Sequence, residues 1–307
     1  MPKDNFWDLT NKPQTKIKLR ILRDYLSAWA KIFANQSWCS EVYFVDCFAG
    51  RGKYDNEGVK DSILGSPLVA LEIAKFVKEK YKKDIKCIFI EKDKKTFSDL
   101  EGFVKNYKDD GLSVDLFYGD INEKIDSVLL LIPPKVPVLF FIDPEGINIS
   151  RDMLKKILCI PNAAKEIFIN YICKGVERCY SFAKKYDENL PIDIQKKAIG
   201  NLRRVQDFFG ADWKYLTSEE KANLKTYLNI IADYNEKVLG RYQLGAKIID
   251  IYYNRGRNKY YLIFLSRNAN AKGIIEDIYT TVKMDGTLFS NLPRKQQKGM
   301  LQGRFDI

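Results

Sequence analysis

The chain of 307 residues contains no histidine. Imidazole is the base of Ser–His and Cys–His nucleophiles and a frequent ligand of zinc. These kinds of catalytic and metal site are therefore excluded. Any chemistry must use carboxylates, lysine, tyrosine, cysteine, backbone groups or a bound cofactor.

The sequence also lacks cysteine signatures and long apolar runs. Its six cysteines form no C-x-x-C pair, and the spacing of Cys173 and Cys179 matches no zinc motif. No apolar run approaches the roughly 20 residues of a membrane span. The start, MPKDNFWDLTNKPQTK, has no apolar signal core. We therefore expect a cytoplasmic protein with reduced thiols, no metal site and no membrane association.

Positive charge is in excess, with 51 lysines and arginines against 40 acidic residues and a net charge of +11. The basic residues are spread along the chain, which favours nucleic acid or another acidic partner. The lysine-rich composition of an AT-rich genome produces the same surplus.

Apolar runs alternate with helical patterns along the first half of the chain. Parallel strands that are buried on both faces are apolar throughout. The sequence predicts an α/β fold, a Rossmann-like mostly parallel sheet with helices on both faces. The predicted strands are VYFVDCF, IKCIFIEKD, SVDLFYGDIN, VPVLFFIDPEG and KEIFINYIC.

The remaining segments flank or interrupt this core. Residues 1–36 are predicted to supply an N-terminal helix that packs on the core, with its apolar face formed by Leu22, Tyr25, Leu26, Trp29, Ile32 and Phe33. A second helix is expected after Gly65, with Ser66 as its N-cap and Pro67 at its first position. The other predicted units are a core of residues 37–175 and 240–285, a helical insertion at 176–239 before the last two strands, and a basic tail at 286–307.

An acidic residue ends each of the first four predicted strands: Asp46, Glu91, Asp120 and Asp143. In an open parallel sheet, ligands bind beyond the carboxyl ends of the strands. The repeated acids predict a polar ligand across this edge, although a single acid at a strand end is common.

The sequence of the loop after the first strand indicates which class of ligand is expected. Gly50 and Gly52 are not followed by the third glycine of G-x-G-x-x-G, and the next helix begins only near Ser66. No helix N-terminus is therefore expected to face a pyrophosphate. Glu91 also lies beyond the roughly 20-residue offset of the dinucleotide fingerprint. A nucleoside without phosphate, such as S-adenosylmethionine, fits this pattern better.

These motifs resemble class I S-adenosylmethionine-dependent methyltransferases and, more narrowly, the three-Cys-motif partner proteins (TcmP). The family pattern of K-x-x-I-L-x-x-Y-L-x-x-W, D-x-F-A-G-x-G-x-Y, G-S-P-L, F-I-E-K-D and F-I-D-P-F-G recurs almost in full. FFGADW and YYLIFLSRNANAKG also match. The resemblance extends from about Thr15 to Thr281.

The resemblance implies S-adenosyl-L-methionine as cofactor. Asp46 and the backbone of Phe48, Gly50 and Gly52 would face its methionine end. Glu91 would accept hydrogen bonds from the ribose hydroxyls, a role that suits a carboxylate. Asp120 would bind the adenine amino group, although GDIN also reads as an ordinary helix cap.

The Asp-Pro turn is the predicted catalytic element. Pro144 removes a backbone donor, and we expect the oxygens of Asp143 to be free for the amine or hydroxyl being methylated. Glu145 is either a base or a solvated turn residue. Because Glu145 replaces the family's aromatic residue, Tyr54 or Tyr171 is expected to stack on the substrate. Asn268, where the family often has histidine, is expected near the substrate mouth.

The family name implies a companion protein with a three-cysteine motif, of the radical-type iron–sulfur kind. Nucleic acid is the second expected partner, bound by Arg203 and Arg204 of the insertion, by Arg255 and Arg257 of the last hairpin, or by the tail. Solvated charge explains each of these residues equally well.

Three functions remain open at this stage. The first is methyl transfer to nucleic acid or to an intermediate shared with the partner. The second is a non-catalytic subunit that binds cofactor or nucleic acid for that partner. The third is a metal-dependent nuclease, because Asp93-Lys94-Lys95 imitates a D-x-K element beside Glu91.

Overall fold

The structure is a computed structural model, and it describes residues 13–54, 63–160, 164–185, 187, 189, 191–217, 219–234, 245–253 and 257–284. The helices are α1 (Pro13–Ala34), α2 (Ser66–Tyr81), α3 (Lys94–Asp109), α4 (Ile121–Leu130), α5 (Arg151–Cys159), α6 (Cys173–Ala183), α7 (Ile192–Phe209), α8 (Glu220–Tyr234) and α9 (Ala269–Met284). A 3-10 helix spans Gly210–Tyr215. The strands are β1 (Glu41–Asp46), β2 (Lys53–Tyr54), β3 (Ile63–Leu64), β4 (Asp84–Glu91), β5 (Val114–Tyr118), β6 (Val138–Ile142), β7 (Lys165–Tyr171), β8 (Gly245–Tyr253) and β9 (Arg257–Ser266).

Seven strands form the central sheet in the order β5-β4-β1-β6-β7-β9-β8. The first five in this order are parallel, and β9 is antiparallel to both β7 and β8. The chain turns back at β1, which lies between β4 and β6. The predicted Rossmann-like α/β fold is therefore confirmed, and β1 and β6 flank the point where the strand order reverses.

Two apolar cores lie on opposite sides of this sheet because successive side chains of a strand point to opposite faces. Phe44, Phe89 and Phe141 pack with helices α1, α2, α3 and α9, and we name this side the α1 face. Val45, Ile88 and Phe140 pack with α4 to α8 on the α7 face. The layers explain why the strand sequences are apolar without alternation.

The structure differs from the sequence-based expectations in three local features. Part of the expected polar loop forms the antiparallel pair β2–β3, closed by the hydrogen bond from Gly65 N to Gly52 O at 2.7 Å. The N-cap of α2 is Gly65 rather than Ser66. Ile32 is 43% exposed and lies outside the apolar face of α1, whereas Phe33 packs against the core.

Helices α6, α7 and α8 occupy the stretch between β7 and β8, where a helical insertion was predicted. Helix α9 follows β9 and was not anticipated as a helix. The predicted basic tail, residues 286–307, lies outside the described residues, as do residues 1–12.

Helix α1 is tied to the sheet by a buried polar contact. The Tyr25 hydroxyl donates a hydrogen bond of 2.5 Å to Glu166 on β7, and Ser266 on β9 donates one of 3.1 Å to the other carboxyl oxygen. Burial raises the pKa of Glu166 to about 7, and the two hydrogen bonds oppose part of this shift. The folded protein therefore favours the protonated form of Glu166.

We expect Glu166 to make stability depend on pH. Between the ordinary pKa of 4.5 and about 7, the folded state keeps a proton that the unfolded chain has lost. Its stabilising contribution is full below that ordinary value and falls as the pH rises towards 7. In Glu166→Gln, the fall in unfolding free energy over this range should be smaller than in the wild type by up to about 3 kcal/mol. Urea denaturation of both proteins at several pH values measures these unfolding free energies.

Glu101→Gln, on the exposed side of α3, is the matched control and should leave the pH dependence unchanged. An identical pH dependence in Glu166→Gln and the wild type would contradict this assignment.

Candidate functional site

The acids that end the parallel strands lie in register at one edge of the sheet. Asp46 is paired with Phe89 of β4 and with Phe141 of β6. Glu91 and Asp143 each lie two residues beyond those partners, so the strand pleat directs all three acids towards the α1 face. The charge of Asp143 contributes to the raised pKa of Asp46, which also places the two carboxylates close together.

Asp46 is fully buried and incompletely hydrogen-bonded. Its Oδ1 accepts a hydrogen bond from Phe48 N at 3.1 Å, while Oδ2 has no hydrogen-bond partner within the described part of the chain. Burial raises the pKa of Asp46 to about 7, and hydrogen bonds from Ser66 and Phe48 oppose this shift. A buried carboxylate with an unused acceptor atom suits a positively charged donor.

The glycine loop after β1 approaches the neighbouring strand closely. Gly50 and Gly52 have φ angles of 66° and 90°, a region that glycine enters without strain. Gly50 N donates a hydrogen bond of 2.9 Å to Glu91 Oε2, and Asp93 N donates one of 2.7 Å to Oε1. The backbone of the loop and the Glu91 carboxylate are therefore held together at the carboxyl ends of β1 and β4.

Asp143 has polar partners on both oxygens, which corrects the expectation that they are free. Oδ2 forms an ion pair with Lys18 of α1, and Oδ1 accepts a hydrogen bond of 2.5 Å from Asn170 of β7. The reason is tertiary: α1 crosses this face of the sheet and directs Lys18 to its carboxyl edge. The Asn170 Oδ1 atom is buried and has no partner among the residues that the structure describes.

Two tyrosines lie beside this pair of carboxylates. Burial and the charges of Asp143 and Asp46 raise the pKa of Tyr54 above its usual range. Burial and Asp143 do the same for the pKa of Tyr260 on β9. Tyr54 is thus brought to the predicted site, while its stacking role stays a prediction.

The structure gives three other predicted site residues, Tyr171, Glu145 and Asp120, surroundings that differ from those expected of stacking, catalytic or cofactor-binding residues. Tyr171 is 1% exposed, and its ring lies 5.3 Å from that of Tyr227 within the α7 face, so it offers no open surface for stacking. Glu145 is exposed in the turn, as the solvated alternative anticipated. Asp120 is the N-cap of α4 and accepts a hydrogen bond of 2.9 Å from Asn122 N. Its adenine-binding role stays a prediction.

Asn268 does not lie at the expected mouth. It follows the carboxyl end of β9, and Ser266 pairs with Glu166 near the start of β7. Because β9 is antiparallel, this end lies at the opposite edge of the sheet from Asp143.

The predicted basic contacts are only partly described. Arg203 and Arg204 are exposed on α7. The backbone of Arg257 begins β9, at the edge where Tyr171 pairs with Tyr261. Arg255 lies outside the described residues. Binding of nucleic acid by these residues stays a prediction.

Asp93 has a structural explanation that weakens the nuclease alternative. Its carboxylate caps α3 by accepting a hydrogen bond of 2.8 Å from Thr96 N. Within the described ranges, no group of three or more potential ligand side chains could hold a metal ion. Nor does any helix there have the length and apolar character needed to cross a membrane.

Lys18 and Asn170 were missed as site residues. Lys18 lies four residues before Leu22 and seven before Tyr25, so helical spacing puts it on the buried face. It is also the lysine that opens the K-x-x-I-L-x-x-Y-L-x-x-W pattern. Asn170 interrupts an otherwise apolar strand. A polar residue at a position whose neighbours predict burial was the available signal.

No protein-family model and no curated protein matches the chain. Similar solved structures include precorrin-6y C5,15-methyltransferase from Geobacter metallireducens GS-15, at 10% identity and a TM-score of 0.38, covering 78% of this chain and 87% of that one. Another is magnesium protoporphyrin IX methyltransferase from Synechocystis PCC 6803 with bound SAM, at 9% identity and a TM-score of 0.40, covering 83% and 84%. At these scores the matches carry no argument about function. The strand order and the acidic edge define a Rossmann-like α/β protein with a candidate ligand site.

We expect the glycine loop to tolerate no side chain at Gly52. An added Cβ would lie 3.3 Å from both Leu68 and Leu100, at a φ of 90°. Gly52→Ala should lower the free energy of unfolding by about 1–3 kcal/mol. Chemical denaturation measures this change.

Gly102→Ala is the matched control, since Gly102 lies within α3 and an added Cβ meets nothing within 4 Å. It should be neutral or stabilise the protein by up to about 1 kcal/mol. Equal stability of Gly52→Ala and the wild type would show that the loop is not constrained.

Proposed function

We propose that this protein binds S-adenosylmethionine at the carboxyl edge of its sheet and transfers the methyl group. The observation that carries the proposal is a pair of buried acceptor atoms, Asp46 Oδ2 and Asn170 Oδ1, on either side of Asp143, that have no donor among the described residues. Buried acceptors are normally satisfied, so this pair favours a ligand that brings N–H donors and positive charge.

The residues present fit the two ends of this cofactor. Asp46 and the glycine loop suit the methionine end, whose ammonium can donate to the unused oxygen. Glu91 accepts one backbone hydrogen bond on each carboxyl oxygen and retains lone pairs for the ribose hydroxyls. The strand order reverses between the neighbouring strands β1 and β6, and in open α/β sheets ligands bind outside the carboxyl ends of the strands at such a point.

Bound S-adenosylmethionine would supply an electrophilic methyl group on a sulfonium. The protein's own contribution is to bind the cofactor and to orient it and the methyl acceptor. Asp46 attracts positive charge, the loop backbone fixes the position of the ligand, and Asp143 with its hydrogen-bonded partners defines the side from which an acceptor approaches. Rate enhancement would then come mainly from proximity and orientation.

Calorimetric titration with S-adenosylhomocysteine, alongside NAD, tests the proposal. We expect micromolar binding of the homocysteine compound alone. Asp46→Asn and Glu91→Gln should each weaken it by about 10-fold or more, since a hydrogen bond to a charged group contributes about 1.5–3 kcal/mol.

The matched controls are Asp110→Asn, at the exposed C-cap of α3, and Glu101→Gln, on the exposed side of α3, and both should bind like the wild type. The Lys75–Asp110 ion pair, at 2.7 Å, is exposed and contributes little to stability. Absence of binding by folded wild-type protein would overturn the proposal.

The finer proposal is that the chain acts with a three-Cys-motif partner of the radical-type iron–sulfur kind, as a three-Cys-motif partner protein. The sequence motifs support it. The acceptor would be nucleic acid or an intermediate shared with that partner, and the net charge of +11 favours the former. Transfer of labelled methyl groups to RNA, DNA or partner-bound material distinguishes these acceptors.

A non-catalytic binding subunit is the second candidate. It is favoured by the polar partners on both oxygens of Asp143 and by the exposure of Glu145, since neither carboxylate is then an unpaired base held beside the cofactor position. Binding of S-adenosylhomocysteine without methyl transfer, even with the partner present, would select this candidate.

A further inference from the structure

Lys18 is a charged residue on the buried face of α1. It is 8% exposed, and its ammonium group pairs with Asp143, 125 residues later in the chain. The charge of Lys18 also lowers the pKa of Asp46, so one ammonium group interacts electrostatically with two neighbouring carboxylates. Neither the helix pattern nor the proposed cofactor contacts explain this arrangement.

We propose that Lys18 is a positioning residue that lowers the cost of ionising Asp46 beside Asp143 and so prepares the site for a cationic ligand. The ligand part of this inference rests on the proposed function. The part that concerns the two carboxylates can be tested without any ligand.

The local charge balance supports the inference. With both acids ionised, Asp46, Asp143 and Lys18 carry a net charge of −1, which one bound cation would neutralise. Without Lys18, ionising Asp46 beside Asp143 would cost more, and Asp46 would hold its proton to a higher pH. That proton would remove the attraction for a cationic ligand.

Several other groups around the two carboxylates can carry charge. Each is identified by its electrostatic interaction with Asp46, Asp143 or Tyr54. They are Arg51, Tyr54, Tyr260, Cys47 and Cys87. Burial raises the pKa of both tyrosines and both cysteines, which are therefore neutral near pH 7. Arg51 donates a hydrogen bond of 2.7 Å from its Nε atom to Lys53 O, whereas Lys18 is in direct contact with Asp143.

The position of α1 does not depend on Lys18 alone. Tyr25, two turns further along the helix, holds α1 through Glu166 on the adjacent strand β7. Apolar packing of Ile21, Leu22 and Leu26 adds to this contact. A Lys18→Met substitution should therefore remove the charge and leave the helix in place.

The experiment follows the Asp46 carboxyl by carbon-13 NMR in ligand-free protein, with Asp46→Asn used for assignment. In Lys18→Met, the midpoint of the Asp46 titration should rise by about one pH unit or more, as expected for the loss of an adjacent opposite charge. In the double variant Lys18→Met/Asp143→Asn, the positive and the negative charge are both removed. The midpoint should then return towards the wild-type value.

Lys31→Met is the matched control on the same helix. Lys31 is exposed, its ammonium group lies 5.6 Å from the centre of the Phe76 ring, and its removal should leave the midpoint unchanged. An unchanged midpoint in folded Lys18→Met, or the same rise in Lys31→Met, would overturn the inference.

Titration with S-adenosylmethionine at several pH values gives the second measurement. In Lys18→Met, the pH below which binding is lost should rise together with the Asp46 midpoint. If wild-type protein binds no S-adenosylmethionine, the proposed function fails while the NMR titration still decides the role of Lys18. If the Asp46 midpoint rises and the pH dependence of binding does not follow, Lys18 has no positioning role for the ligand.

Discussion

Two neighbouring carboxylates cannot be buried in ionised form without a counter-charge, and this constraint governs the carboxyl edge of the sheet. Asp46 is fully buried, and the Asp143 side chain is 16% exposed. The effective cost of burying an isolated ion is several kcal/mol. Lys18 opposes this cost through its ion pair with Asp143. The site is therefore complete only when α1, which precedes the sheet in sequence, is packed against it.

The geometry of α1 agrees with this dependence. Lys18 and Tyr25 are seven residues apart, roughly 10 Å along a helix. Their partners lie on adjacent strands, and Glu166 pairs with Leu139, four residues before Asp143. Four strand residues span roughly 13 Å. Helix α1 therefore runs antiparallel to β6, with Lys18 at the carboxyl edge and Tyr25 near the amino-terminal ends of β6 and β7. Apolar packing alone would allow α1 to slide, whereas two polar contacts at matched spacing fix its position.

Much of the fold could be predicted because local patterns of apolar and polar residues in the sequence indicate its strands and helices. Apolar runs ending in Asp46, Glu91 and Asp143 identified parallel strands and their binding edge. The β2–β3 pair could not be predicted, since two-residue strands have no periodicity and their closure depends on the contact between Gly65 N and Gly52 O. The partners of Asp143 were missed for a different reason. Lys18 and Asn170 reach it through tertiary packing, which strand and helix patterns do not encode.

The chemical role of an Asp-Pro turn depends on which other groups contact the carboxylate of its aspartate. A carboxylate has about four lone-pair positions, and Lys18 and Asn170 use two of them at Asp143. An acceptor can still bind there, but it would do so beside an ammonium group and, in the proposed complex, a sulfonium. A cationic acceptor would add a further positive charge to a site where two neighbouring carboxylates already face Lys18 and the cofactor's own positive charges. The arrangement therefore favours an acceptor that arrives neutral, such as an uncharged amine or a hydroxyl, which is also the form that carries the attacking lone pair.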